Sequence, residues 1–188
     1  MKINSYPYKT IVGKKTIIRR LEEKDLEKSL VWLKDPNVNK YLSQNFSDLT
    51  KQQEGAWYRQ MIKSRHDFVF AIDSRRGKYI GNCAIHKINW FKKSAEFGIF
   101  IGNKEYWNRG YGSEAIKKVI RFAFDDLKLK KILLNVYEYN QRAINVYTKC
   151  GFRLKKILRK DHYYNNKLWD TLVMEYTENL SRKKNVHI

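Results

Sequence analysis

The chain has 188 residues, of which 43% are hydrophobic and 14% aromatic, so it can bury the core of one domain and is not a disordered protein. No apolar run approaches the roughly 20 residues of a membrane-spanning helix, and the first seven residues lack the apolar stretch of a secretory signal. We therefore expect a cytoplasmic protein without a membrane partner. The net charge of +20 is spread along the whole chain. This favours a lysine-rich background over a nucleic-acid-binding arm, although an encounter with ribosomes stays open.

Cysteine and histidine are sparse and scattered. Cys83 and Cys150 are too far apart in sequence, in a chain of this size, to indicate a stabilising disulfide. The four histidines show no metal-ligand spacing. We predict no metal site and a reducing compartment.

The first third of the chain predicts a strand followed by two helices. Residues 16–21 alternate in a way typical of a strand, and an acidic start with a spaced apolar side predicts a helix over Glu23–Lys34. The dipeptide Asp35-Pro36 ends that helix. A second helix begins near Thr50, which forms a capping box with Gln53.

The middle of the chain predicts an antiparallel meander. Two apolar extended runs, Asp67–Asp73 and Lys78–His86, flank the turn Ser74–Gly77, and a third run covers Ala95–Gly102. Three consecutive strands joined by short turns are expected to pair side by side.

The last part of the chain predicts helix, strand, helix and a closing hairpin. Apolar residues at three- and four-residue steps after Gly112 indicate a helix, Lys131–Tyr137 a strand, and Asn140–Cys150 a second helix. Residues 152–163 and 167–176 form the expected hairpin. The predicted fold is α+β in three layers: one domain over residues 1–176, with about seven strands and about four helices, and a polar tail over residues 177–188.

One loop is suited to binding an anion. Trp107–Ser113 follows a strand, carries Gly110 and Gly112, and runs directly into a helix. Such a loop can direct several backbone N–H groups and the partial positive charge of the helix N-terminus at a pyrophosphate. It lacks the Gly-Lys-Ser/Thr ending of an ATP-binding loop, and it follows a meander rather than the parallel opening of a dinucleotide fold. By itself, the loop is equally compatible with an ordinary turn.

A second segment, Asn140–Phe152, has a local structural explanation for each residue. Asn140 is a plausible helix N-cap, and Tyr147 is compatible with a half-buried helix aromatic. Its interest lies in its combination with the glycine loop, one helix and one strand earlier.

Together the two segments resemble the GNAT superfamily of acyl-CoA-dependent N-acetyltransferases, over residues 16–176. The family loop Gln/Arg-x-x-Gly-x-Gly/Ala is matched by Trp107–Gly112, with tryptophan at the first place. The pattern Asn-x-x-Ala-x-x-x-Tyr-x-x-x-Gly-Phe is met in full by Asn140–Phe152. The resemblance is strongest to the branch of ribosomal-protein N-terminal and spermidine (diamine) acetyltransferases. It implies a mixed, mostly antiparallel twisted sheet that is splayed at the cofactor strand.

The resemblance also implies acetyl-CoA as cofactor and assigns residues to it. The pantetheine arm is expected to pair with a strand segment, the pyrophosphate to bind the glycine loop, and a helix side chain to bind the pantetheine. In chain order the strand residues are Ile99, Phe100 and Ile101, the loop residues are Trp107, Asn108, Arg109, Gly110, Tyr111, Gly112 and Ser113, and the helix residue is Asn140. Arg142, Asn145 and Lys149 are added as cofactor-binding residues, Arg142 and Lys149 for their charge and proximity. Tyr147 is expected to face the sulfur as general acid.

The chemistry of such a transfer needs three groups. A lysine-like amine with a pKa of about 10.4 is neutral only about once in a few thousand molecules at pH 7, a cost of about 4–5 kcal/mol, so a base is needed. Glu96 is our candidate, although a carboxylate paired with lysine at a sheet end is an equally good interpretation. A backbone N–H of residues 99–101 can stabilise charge on the thioester oxygen. Tyr147 can protonate the departing thiolate.

The acceptor is not determined by the sequence. We expect the first two helices and the closing hairpin to form its pocket, with their aromatic residues and a few acids. Polyamines, protein N-termini and amino sugars all fit. The acids Asp35, Asp48 and Glu54 could attract a cationic amine, but we favour solvation on a helix surface as their role. A homodimer is a further expectation. The alternative function is a non-catalytic acyl-CoA sensor or an RNA- or ribosome-associated module with the same fold.

Overall fold

The computed structural model describes residues 9–177, which form one sheet with helices on both faces. The strands are β1 Ile11–Val12, β2 Thr16–Arg20, β3 Phe68–Ser74, β4 Tyr79–Asn89, β5 Ser94–Ile101, β6 Lys131–Tyr137, β7 Arg153–Tyr164 and β8 Lys167–Thr177. The helices are α1 Leu26–Lys34, α2 Pro36–Asn39, α3 Lys51–Met61, α4 Tyr111–Asp125 and α5 Gln141–Lys149. The α+β prediction is confirmed. Of the predicted tail, Thr177 ends β8 and residues 178–188 lie outside the described residues.

The sheet order is β1-β2-β3-β4-β5-β6-β8-β7, and every neighbouring pair is antiparallel except β5 and β6. The predicted meander is present as β3, β4 and β5. At the closing hairpin Asn165 and Asn166 have φ of +52° and +57°, the left-handed conformation that a tight two-residue hairpin turn requires.

The two elements that the sequence did not predict are the shortest ones. β1 has two residues, and α2 has four and begins immediately after α1. The Asp35-Pro36 dipeptide ends α1 as expected, but it also starts α2. The Asp35 carboxylate accepts a hydrogen bond from the Asn37 N–H, and Pro36 occupies the first helical position, where a missing N–H costs nothing. The first three residues of the predicted helix from Glu23 form a 3-10 turn.

The core is divided by the sheet into two layers. On one face α4 and α5 pack against a large cluster that includes Phe97 and Phe152. On the other face α1 and α3 cover a smaller cluster around Leu21 and Trp32. Side chains alternate along a strand, so β5 directs Phe97, Ile99 and Ile101 to the α4 face and Phe100 to the α1 face.

Candidate active site

A gap opens in the middle of the sheet where β5 and β6 part. They pair in parallel over three residue pairs only, from Ser94–Lys131 to Glu96–Leu133, after which β6 continues beside β8. The Gly102 N–H donates to the Ile80 carbonyl in β4 (2.9 Å), whereas the Ile101 carbonyl accepts from Trp107 Nε1 on the other side (2.6 Å). Because strand residues alternate in the side to which they direct N–H and C=O, the backbone of Ile99 also faces the gap.

The glycine loop closes one end of this gap. Gly110 has φ +83° and stands at the N-cap of α4, where it offers no side chain to the first helical N–H groups. Asn108 also has a positive φ, +57°. The fifteen-residue helix α4 thus presents an uncapped N-terminus beside the gap, which favours an anion.

The loop is fastened to the first hairpin by Glu114, a residue without a predicted role. Its carboxylate accepts hydrogen bonds from the backbone N–H groups of Lys14 (2.8 Å), Lys15 (2.9 Å) and Thr16 (2.7 Å) and from the Thr16 hydroxyl (2.7 Å). Partial burial opposes ionisation, but these hydrogen bonds outweigh it and lower the pKa of Glu114. These hydrogen bonds also keep Lys15 beside the glycine loop. Its ammonium donates a hydrogen bond to the Arg109 carbonyl (2.6 Å).

Helix α5 lines the opposite wall. Asn140 caps it by accepting a hydrogen bond from the Ala143 N–H (3.2 Å), and Gly151 follows its end with φ +101°. Tyr147 is buried, at 8% exposure, and its ring meets Phe152 edge-on. Burial raises the pKa of its hydroxyl, which makes no hydrogen bond within residues 9–177.

Between these walls lies a first cavity of about 360 Å³. The predicted site residues that line it come from the strand, the loop and the helix, and they are Ile99, Phe100, Ile101, Trp107, Asn108, Gly110, Gly112, Ser113, Asn140, Arg142, Tyr147 and Lys149. The Arg142 guanidinium lies 4.4 Å above the Trp107 ring and so links helix to loop. The predicted residues Arg109, Tyr111 and Asn145 do not line it: Arg109 and Asn145 are exposed, and Tyr111 packs edge-on against Tyr106.

The structure adds a wall that the sequence did not predict. Asn37, Val38, Tyr41 and Leu42, from α2 and the loop after it, complete the first cavity. This segment is held by two tyrosines: Tyr139 donates its hydroxyl to the Lys40 carbonyl and Tyr137 donates to the Leu42 carbonyl (3.4 Å). The Asp35-Pro36 dipeptide predicted only the end of α1, so neither α2 nor its position beside β6 was expected.

A second cavity of about 580 Å³ lies on the α1/α3 face of the sheet. It shares Leu42, Ile99 and Phe100 with the first cavity, so the two meet at β5. Three acidic side chains line it: Glu54, Asp67 and Glu96. Glu96 is about half exposed and its carboxylate lies 2.9 Å from Lys87 Nζ, so the predicted base is paired with a lysine.

Glu54 differs from our expectation of a solvated helix carboxylate. It is 5% exposed on the inner side of α3, and burial raises its pKa, partly opposed by a hydrogen bond with Ser29. Asp35, by contrast, pairs with Lys104 at the surface (2.6 Å), and Asp48 is exposed. Only Glu54 of these three acids lines the second cavity.

Comparison with known proteins identifies the family. Residues 15–153 match the acetyltransferase (GNAT) domain family. The chain is a GNAT acetyltransferase. It is therefore an N-acetyltransferase that uses acetyl-CoA, and the predicted fold family, cofactor and reaction are confirmed.

Individual relatives and structures agree with this family. The acetyltransferase is 26% identical to the N-acetyltransferase p20 of Bacillus licheniformis over 80% of this chain and 85% of that one. It is 28% identical to a spermidine N(1)-acetyltransferase of Vibrio cholerae over 60% of this chain and 65% of that one. A crystal structure of spermidine N-acetyltransferase from Vibrio cholerae with CoA and spermine superposes with a TM-score of 0.83 at 24% identity, covering 89% of this chain and 98% of that one.

Proposed function

We propose that the first cavity is the acetyl-CoA site of this acetyltransferase and that its residues act as follows. The gap-facing backbone of Ile99 and Ile101 pairs with the pantetheine amides, and the glycine loop with the N-terminus of α4 binds the pyrophosphate. The local chemistry fits: a side chain at Gly112 would meet only the Ile101 side chain, at 3.8 Å, so the backbone there is open to a close approach. Lys15, Arg142 and Lys149 supply positive charge nearby.

Tyr147 is the proposed proton donor. Acetyl-CoA, once bound, supplies a thioester whose sulfur leaves as a thiolate. A buried tyrosine with a raised pKa remains protonated at neutral pH, and its hydroxyl is not engaged by any group in residues 9–177. It is therefore free to donate its proton toward the cavity.

The proposed acceptor is a small cationic primary amine of the polyamine class, bound in the second cavity. The observation that carries this proposal is the set of carboxylates Glu54, Asp67 and Glu96 in a cavity that meets the first one at Ile99 and Phe100. Carboxylates attract ammonium groups, and the shared strand lets an amine approach the thioester from the side opposite the cofactor arm. Relatives that are named for spermidine support the same class.

A thiol-release screen with acetyl-CoA tests this assignment. Spermidine and putrescine are compared with alkylmonoamines of equal length, aminoglycosides and peptides with free N-termini. We expect the highest kcat/KM for the diamines, because a second ammonium can meet a second carboxylate. Preference for the N-terminal peptides would overturn the polyamine assignment and favour a protein acceptor. Cofactor binding without turnover of any amine would favour the non-catalytic sensor.

We also propose that the chain works as a homodimer in the cytoplasm and that its positive charge permits an encounter with ribosomes. Support for self-association comes from a dodecameric structure of the Vibrio cholerae spermidine N-acetyltransferase. No helix within residues 9–177 is long and apolar enough to span a membrane. Light scattering tests the dimer, and co-sedimentation with ribosomes at rising salt tests the encounter.

A further inference from the structure

One histidine of the second cavity has no role so far. His86 lies in β4 directly opposite Glu96 of β5, and both side chains line the second cavity. The His86 side chain is 35% exposed, so it is partly withdrawn from solvent and still open to the cavity. Its position therefore lets it contact an amine bound there.

The imidazole lies against the strand at the point where the sheet parts. A Cβ placed on Gly98 would lie 3.6 Å from His86 Nε2 and 3.8 Å from Cδ2, ordinary van der Waals distances, so the imidazole lies beside the backbone of Gly98. Gly98 precedes Ile99, one of the residues that both cavities share. His86 Nε2 thus lies beside the residue that precedes Ile99, where the two cavities meet and the amine would reach the thioester.

The other ring nitrogen faces a fixed carboxylate. Asp67 Oδ1 lies 3.6 Å from His86 Nδ1, an ion-pair distance rather than a hydrogen bond. Asp67 is held by the Ser64 hydroxyl (2.6 Å) and by the Lys87 N–H (3.1 Å). A negative charge on this side favours the proton on Nδ1 and leaves the lone pair on Nε2.

The predicted base is less well placed to accept a proton. The Glu96 carboxylate is already engaged by the Lys87 ammonium, which lies 2.9 Å from it. Lys87 is close enough to act on His86 through its charge, but among residues 9–177 the imidazole is ion-paired only with the Asp67 carboxylate, on the Nδ1 side.

We propose that His86 is the catalytic residue that accepts the proton of the acceptor amine, with Asp67 as its positioning residue. This inference rests on the proposed function of the second cavity. The ammonium N–H bond breaks as the Nε2–H bond forms, and the freed nitrogen lone pair attacks the thioester carbonyl carbon. The C–S bond then breaks and the thiolate takes its proton from Tyr147. The acylated nitrogen loses its second proton, which restores the Tyr147 hydroxyl by way of solvent, and His86 releases its own proton to solvent before the next turnover.

The protonation state of His86 agrees with this role. The pKa of His86 is lowered, and the main cause is burial. The positive charge of Lys87 also lowers it, whereas the negative charges of Asp67 and Glu96 raise it without reversing the net direction. Glu54 of α3 is the remaining acidic group that lines this cavity among the described residues. The imidazole is consequently neutral at pH 7, and its ability to accept a proton is lost as pH falls through that lowered pKa.

The test compares His86→Gln with the matched control His66→Gln, using putrescine or spermidine as acceptor. His66 hydrogen-bonds the Ile88 carbonyl and does not line the cavity. We expect kcat/KM to fall by roughly 10²-fold or more in His86→Gln and to lose its acidic limb in the pH profile. In Asp67→Asn that limb should move to lower pH, because Asp67 raises the His86 pKa. His86→Ala should regain activity with added imidazole, which a purely structural role would not allow.

The outcomes separate this inference from the proposed function. Wild-type turnover of diamines with an unchanged rate and pH profile in His86→Gln would overturn the role of His86 alone. A similar loss in His66→Gln, without rescue of His86→Ala by imidazole, would also overturn it. A wild-type protein that leaves acetyl-CoA intact with every amine would overturn the proposed function together with this inference.

Discussion

The two cavities that meet at β5 are built from different kinds of groups. The first depends largely on backbone: the open edge of β5, a glycine loop and a helix N-terminus, all within the continuous segment 99–113. The second depends on side chains of α1, α3 and the strands β3 to β5, which are separated along the chain. A site made of backbone leaves a local pattern of glycines and helix starts in the sequence, whereas a site made of distant side chains does not. Substitutions in the first cavity should therefore change the binding of acetyl-CoA, and substitutions in the second should change the KM for the amine.

The largest expected effect is that of Tyr147→Phe. If Tyr147 is the proton donor that we propose, loss of its hydroxyl should reduce kcat by roughly 10²–10⁴-fold, because the departing thiolate then has no donor. The melting temperature should stay the same, since the hydroxyl has no hydrogen-bond partner within residues 9–177. Steady-state thiol release and thermal melts measure both. Tyr176→Phe is the control, and an unchanged kcat in Tyr147→Phe would remove it from the mechanism.

Gly110→Val should weaken acetyl-CoA binding by about tenfold or more. A β-branched residue at φ +83° displaces the loop and crowds Lys15 Nζ, which lies 3.4 Å from the added Cβ. Gly77→Val is a matched control, because Gly77 has φ +75° with nothing within 4 Å of its Cβ. Both variants carry a similar backbone strain of about 1–2 kcal/mol. Calorimetric titration with acetyl-CoA distinguishes them, and an equal loss of affinity in both would contradict a backbone-built site.

Glu54→Gln should raise KM for diamines several-fold and leave KM for acetyl-CoA unchanged. The variant should also have a free energy of unfolding at pH 7 that is about 1 kcal/mol higher, because it removes a buried carboxylate with few hydrogen-bond partners. Because the pKa of Glu54 is raised in the folded protein, ionisation of its carboxyl group lowers the wild-type stability as pH rises above the unfolded-state pKa of about 4.5. The extra stability of the variant should therefore vanish at lower pH. Melts at pH 7 and pH 4 measure it. The exposed Glu27→Gln is the control, and an equal KM effect there would indicate only general electrostatics.

Glu114→Gln should have the smallest effect on turnover. The KM for acetyl-CoA should rise a few-fold, because the turn at Lys14–Thr16 is held less firmly against α4. The wild-type carboxylate contributes stability above its unfolded pKa, which is lost as pH falls through its lowered folded pKa. The variant should lose about 2–3 kcal/mol at pH 7 and little at strongly acidic pH. Denaturant unfolding at both pH values measures this. Glu105→Gln, which breaks only a surface pair with Lys78, should leave the stability nearly unchanged, because solvent screens an exposed pair.

Much of the fold could be predicted because its signals are local. The strand Lys131–Tyr137 and the Thr50–Gln53 capping box were predicted at the positions where they occur. β1 and α2 were missed because two- and four-residue elements have too few residues for a periodic pattern.

The candidate site divides in the same way. The glycine loop, Asn140 and Tyr147 carry a recognisable spacing, and the structure brings them to one cavity. Glu54 could not be distinguished from a solvated carboxylate, because only the packing of α3 on the sheet turns it inward. The sequence alone did not connect His86 with Asp67, because their proximity depends on the pairing of β3 with β4.

The amino-acid sequence by itself determined the resemblance to the family and, through that resemblance, the cofactor, because the spacing of glycines, caps and helix starts within two short segments is a local property of the chain. That the glycine loop binds the pyrophosphate stays a prediction. Tertiary structure alone decided which acids face the second cavity, which histidine stands beside the parting of β5 and β6, and which wall α2 supplies. The physical reason is that burial and cross-strand proximity arise only when segments distant along the chain pack together.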